Sequence, residues 1–138
     1  MCFGARDQQF GRFYVPSRAS SLAAIKLVHL YGYVSCDTAA TFHWSYWGCG
    51  TGPINVAITN SDDHVLLPPR EFVFHHSLWA NIPSYTSLSS ELILSFFSHP
   101  YSVTSGQELR VWYGEDLFGH SEQDNGGRVC SDVYALFV

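Results

Sequence analysis

The chain has 138 residues, of which 46% are hydrophobic, 16% aromatic and only 14% charged; that length fits one domain with a sizeable core, and the composition excludes a disordered chain. A net charge of −5 argues against a nucleic-acid partner, which needs a basic footprint to neutralise phosphates. No run of about 20 apolar residues is present, so no membrane span is expected.

The opening MCFGARDQQF lacks the apolar segment of a signal peptide, which leaves a cytosolic chain or a secreted one whose leader is gone. The cysteines favour the second. Cys2, Cys36, Cys49 and Cys130 make an even set with no CxxC pair, so the spacing gives zinc no support. Of the three pairings four cysteines allow, Cys36–Cys49 with Cys2–Cys130 is the simplest, the first closing a short loop and the second tying distant segments. With a single lysine, Lys26, the pattern suits an extracellular disulfide framework.

In chain order, Phe10 to Val15 reads as a first strand that Pro16 ends. Ile25 to Cys36, IKLVHLYGYVSC, is a strong strand signal. Ile25, Leu27, His29, Tyr31 and Tyr33 fall on one face, and Lys26, Val28, Leu30, Gly32 and Val34 on the other. With both faces apolar it reads as a central strand, with Gly32 marking a bulge. Thr41 to Trp47 also alternates, before Gly48, Gly50 and Gly52. Residues 54–67 predict a hairpin around Asn60-Ser61-Asp62-Asp63, stopped by Pro68-Pro69. Glu71 to Leu78 is a further strand candidate, and Glu91 to Ser98 reads as a buried strand. Glu108 to Tyr113 leads at Gly114 into an acidic, glycine-punctuated loop with Glu115, Asp116, Glu122, Asp124 and Asn125, and Val129 to Phe137 closes the chain. No helical period persists for three turns. About nine short strands at roughly eight-to-fifteen-residue spacing predict one all-β domain over residues 1–138, an antiparallel two-sheet sandwich of jelly-roll type.

Three groups of residues carry chemistry. The acidic loop offers hard oxygen ligands of the kind calcium takes, with Glu115, Asp116 and Asp124 as candidates, although a solvated acidic loop is the commoner outcome. Aromatic faces beside carboxylates and amides suit sugars, whose rings present apolar C–H faces and a rim of hydroxyls. Trp47, next to the glycine-rich loop, is the stacking candidate, with Asp116, Asp124 and Asn125 to orient hydroxyls. Trp112, inside a strand, reads as core. The seven histidines show no HxH or HExxH motif. His75 and His76, adjacent on a presumed strand, would face opposite ways and so not share an ion.

Residues 106–117, GQELRVWYGEDL, resemble the closing motif of PR/SET-type lysine methyltransferases. The resemblance covers a dozen residues, and the upstream Asn-His-x-Cys-type segment that those enzymes use is absent, so no residue role is carried over from it.

The sequence therefore predicts a non-enzymatic extracellular recognition module, lectin-like, taking a glycan or other small polar ligand. It requires no cofactor, with calcium the candidate ion, and it self-associates into a homo-oligomer through aromatics and edge strands. The alternative is a structural, self-assembling protein using the same aromatics. A glycosidase is the weakest option, since no pair of acids stands out on a strand end.

Overall fold

The computed structural model describes all of residues 1–138, and it is a two-sheet antiparallel sandwich of ten strands. These are β1 (Cys2–Gly4), β2 (Gly11–Tyr14), β3 (Ser21–Ser35), β4 (Trp44–Ser45), β5 (Val56–Asn60), β6 (Val65–Leu67), β7 (Glu91–Ser95), β8 (Tyr101–Ser102), β9 (Glu108–Tyr113) and β10 (Gly126–Phe137). One helix, α1 (Gly114–Phe118), follows β9 directly. The first sheet runs β1-β10-β3, and the free edge of β3 is shared in turn by β8, β7 and β4. The second sheet runs β2-β9-β5-β6.

The long strand β3 is central, as its two-sided apolar pattern requires. Ile25 and Leu27 point into the core against Leu92 and Leu94 of β7, all fully buried or nearly so. In the second sheet, Leu109, Val111 and Tyr113 of β9 alternate inward beside Val56 and Ile58 of β5. The interleaved residues Arg110 and Trp112 point to the outside of that sheet. Opposite β10, the register skips Leu30: Cys130 faces Tyr31 and Ser131 faces His29. The extra residue thus lies two positions before Gly32. Gly32 itself has a φ of +86°, and a Cβ there would sit 2.3 Å from the Arg128 carbonyl oxygen, so only glycine fits.

Both disulfides form as the spacing suggests, Cys2–Cys130 across the β1–β10 pair and Cys36–Cys49 closing the segment that precedes β5. Three local readings are corrected, and one strand is added. The added strand, β1, carries no alternation of its own over its three residues; it exists through its pairing with β10. Thr41 to Trp47 is one turn of 3-10 helix, Thr41–His43, followed by the two residues of β4. Glu71 to Leu78 is not a strand. Arg70–Phe72 is a 3-10 turn, Val73 bridges Ala80, and the chain doubles back over 75–78, where Leu78 takes a φ of +71°. The acidic run does not open as a loop: its first five residues are α1. No helix is long and apolar enough to cross a membrane.

Candidate functional site

The outward residues of β9 form the floor of a polar cleft of about 400 Å³, a size typical of small-ligand sites. Arg110 and Trp112 lie at its base. Gln8 and Phe10 form one wall, Asp63 of the β5–β6 turn another, and Asp116, Phe118 and Glu122 the third. Strand alternation puts the arginine and the indole on this face, because their neighbours Leu109, Val111 and Tyr113 are claimed by the core.

Asp63 organises the floor. Its Oδ1 accepts from the Arg110 guanidinium at 3.0 Å and from the Trp112 indole N–H at 3.1 Å. Its second oxygen makes no hydrogen bond within the chain, and its side chain is 41% exposed. Arg110 also donates to Glu108 at 2.6 Å, and its carbon CZ lies 4.3 Å from the Phe10 ring centroid. The Glu108 hydrogen bond, then Asp63, raises the arginine's pKa further above its already high ordinary value. Phe10 packs on Trp112 with ring centroids 4.7 Å apart. The floor is therefore rigid, and the Arg110–Asp63 pair presents donor and acceptor side by side. Phe118, half exposed, supplies an apolar face at the rim.

On the third wall, Asp116 is already engaged. Its two oxygens accept the backbone N–H groups of Gln8 at 2.9 Å and Gln9 at 3.1 Å. Glu122 stands beside it, and its carboxyl is pushed above the ordinary range by burial, then by a hydrogen bond to Asp116 and the charges of Asp116 and Asp7.

The four predicted ligand residues do not converge. Trp47 is corrected outright: it is fully buried, with its indole N–H donated to the Ser89 carbonyl at 2.7 Å, so it offers no stacking face. The glycine after it is tight rather than open, since a Cβ on Gly48 would lie 2.2 Å from the Pro53 carbonyl oxygen. Asn125 is buried, and its amide donates to the Ala5 carbonyl at 3.1 Å. Asp124 is exposed outside the cleft, its carbonyl accepting from the Thr38 N–H at 3.0 Å. Only Asp116 lines the cleft. The candidate calcium ligands fare likewise. Glu115 Oε2 accepts from the Trp79 indole at 3.2 Å, Asp116 serves the 8–9 backbone, and Glu115, Asp116 and Asp124 do not bring oxygens within 4.8 Å of one another.

Asp63, Arg110 and Phe10 were not anticipated, and Glu122 only as one acid of the 115–125 run. One signal for them was present: Glu108, Arg110 and Trp112 at every second position of a strand whose other residues are apolar. Asp63, read as a solvent-facing turn residue, has no signal of its own, because only the fold carries it to β9.

A second cleft, about 710 Å³ and more hydrophobic in its lining, lies across Phe118, between Val65–Pro69, Phe74 and the 75–78 turn. It is the larger of the two, but the polar cleft has the denser set of hydrogen-bonding groups and is the better match to a polar ligand.

A disulfide-tied β-sandwich with an exposed, polar, aromatic-edged cleft has the lectin-like architecture. No protein-family model matches the sequence, and a search of curated proteins finds none. Among solved structures, AJLec from the sea anemone Anthopleura japonica, a lectin, matches with a TM-score of 0.87 at 34% identity, covering 99% of this chain and 92% of that one. The chain belongs to the AJLec family.

Proposed function

We propose that this protein is a non-enzymatic, extracellular carbohydrate-binding protein whose ligand occupies the polar cleft over β9. The observation that carries the reading is the 34% identity to a sea anemone lectin over 99% of the chain, and the cleft supplies chemistry to match. The free oxygen of Asp63 accepts from a sugar hydroxyl, Arg110 donates to a neighbouring one, and Phe118 covers an apolar ring face. The two disulfides fit an oxidising compartment.

The test is a glycan array followed by titration calorimetry, with parent, Asp63→Ala and Phe118→Ala. Loss of one charged hydrogen bond in Asp63→Ala weakens binding about tenfold or more, and Phe118→Ala weakens it with little change in melting temperature. EDTA leaves the parent's affinity unchanged, because no step of this recognition requires an ion. If both variants hold every glycan as tightly as the parent, the ligand sits elsewhere.

The protein also self-associates on this reading. The outer face of the first sheet exposes Tyr31 (65%), Tyr134 (56%) and Leu136 (59%), with a single ion pair, Lys26–Glu91, among them, and such a face is a common oligomer contact. Light scattering at micromolar concentration should give a multiple of the 15.5 kDa chain mass; a Tyr134→Lys variant should then be smaller.

A further inference from the structure

Outside the polar cleft, three histidines from two separate segments meet at the surface. We propose that His75, His76 and His120 form a binding site for a borderline divalent transition-metal ion of the zinc type. One ring nitrogen from each lies within 4.8 Å of the others, and the ring centroids are 4.2, 4.5 and 5.6 Å apart. Zinc takes imidazole nitrogens at about 2.0–2.1 Å in a tetrahedron, with the ligand atoms roughly 3.4 Å apart. Small side-chain rotations close that gap, and His76 is exposed while His75 and His120 are partly so.

The fold holds this trio deliberately close. The 75–78 turn, closed by the Leu78 N–H on the His75 carbonyl at 2.9 Å, brings two adjacent imidazoles into a stack that a strand would have kept apart. Asn55, fully buried, then couples the turn to α1. Its amide nitrogen donates to the Ser77 carbonyl at 2.9 Å, and its Oδ1 accepts the Glu115 N–H at 3.0 Å. At the other end of α1, Gly119 adopts a φ of +62°, and the His120 N–H returns to the Glu115 carbonyl at 3.0 Å. His120 is thereby folded back over the turn. Gly114 completes the fit, since a Cβ there would lie 2.3 Å from the Ser77 carbonyl oxygen.

The surroundings suit a metal ion. Ser77 Oγ lies 2.7 Å from His75 Nδ1. The same Nδ1 accepts the Ser77 N–H at 3.2 Å, so ligation through His75 Nε2 moves the ring proton to Nδ1, where the Ser77 hydroxyl accepts it, the supporting contact metal-bound histidines usually make. Nearby Glu115 is buried, and its Oε1 has no partner within the chain. Three imidazole nitrogens and no converging carboxylates select zinc or copper over calcium or magnesium, and they leave a fourth position open. The other His–Cys grouping, Cys36, His43 and Cys49, is not a rival site, because its thiols are joined in a disulfide.

Calorimetric titration of EDTA-stripped protein with zinc chloride tests the assignment. One zinc per chain is expected for the parent and for His99→Asn, which alters an exposed histidine outside the trio. His76→Asn and His120→Asn should each lose at least about tenfold in affinity, the size of loss that disturbing even the supporting shell of a zinc site produces. Melting temperatures in EDTA, equal for parent and His76→Asn, show that the lost zinc is not lost folding. Absence of saturable zinc binding, or equal losses in His76→Asn and His99→Asn, overturns the site.

Discussion

The acidic run at 115–125 and the histidine turn at 75–78 behave in opposite ways. In the acidic run the most conspicuous charges turn inward: Asp116 receives the backbone N–H groups of Gln8 and Gln9, Glu115 receives the Trp79 indole, and the Asn125 amide reaches Ala5. In the histidine turn the backbone closes on itself, on Asn55 and once on His75, whose Nδ1 accepts the Ser77 N–H, and the rings of His76 and His120 are left to gather outside. A polar side chain is available to a ligand only after the chain's own orphan donors have been served. Where the backbone lacks partners, as at Gln8 and Gln9, carboxylates are spent on structure. Where it pairs with itself, the side chains stay free.

The sharpest way to break this comparison is Asp116→Ala. If Asp116 is structural, removing it strands two backbone donors and costs about 2–4 kcal/mol, whereas Asp124→Ala, at an exposed position, stays within about 0.5 kcal/mol. Urea unfolding of the two variants checks the contrast, and equal small losses would return Asp116 to the pool of free ligand groups. A smaller effect separates Glu122 from its neighbour. Its folded-state pKa is raised, so its contribution to stability is fully present below about pH 4.3, the unfolded value, and is lost as the pH climbs through the folded value. Glu122→Gln, a permanent stand-in for the protonated acid, should therefore match the parent at pH 4 and exceed it at pH 7. Thermal melts at the two pH values read the difference, and a variant that is less stable than the parent at pH 7 would contradict the raised value.

Much of the framework is legible in the residues themselves. Alternation marks β3, β9 and β10, and the turn residues 60–63 between two apolar runs mark the β5–β6 hairpin. The even cysteine set gives both bridges. The misread elements share a cause, which is that a short segment's conformation is decided by what it pairs with. EFVFHHSL has strand character, yet Val73 finds its partner at Ala80, only seven positions on, so the chain must reverse at 75–78. Thr41 to Trp47 alternates, yet the Cys36–Cys49 bridge and the bonds of Tyr46 and Trp47 N–H to the Ser87 carbonyl leave only two residues free to pair with β3. The site was harder to see than the fold for the same reason. Asp63 and Arg110 are 47 positions apart, and no local pattern announces that they meet.

The Cys2–Cys130 bridge has a mechanical consequence. It spans 128 positions, so all but a few residues of the sandwich, including β2 to β9 and both clefts, lie inside a single covalent ring. Tension applied through chain outside that ring passes across the sulfurs and bypasses the β-sheets within it. Only the last part of β10 carries the load, and it peels from β3 one residue at a time.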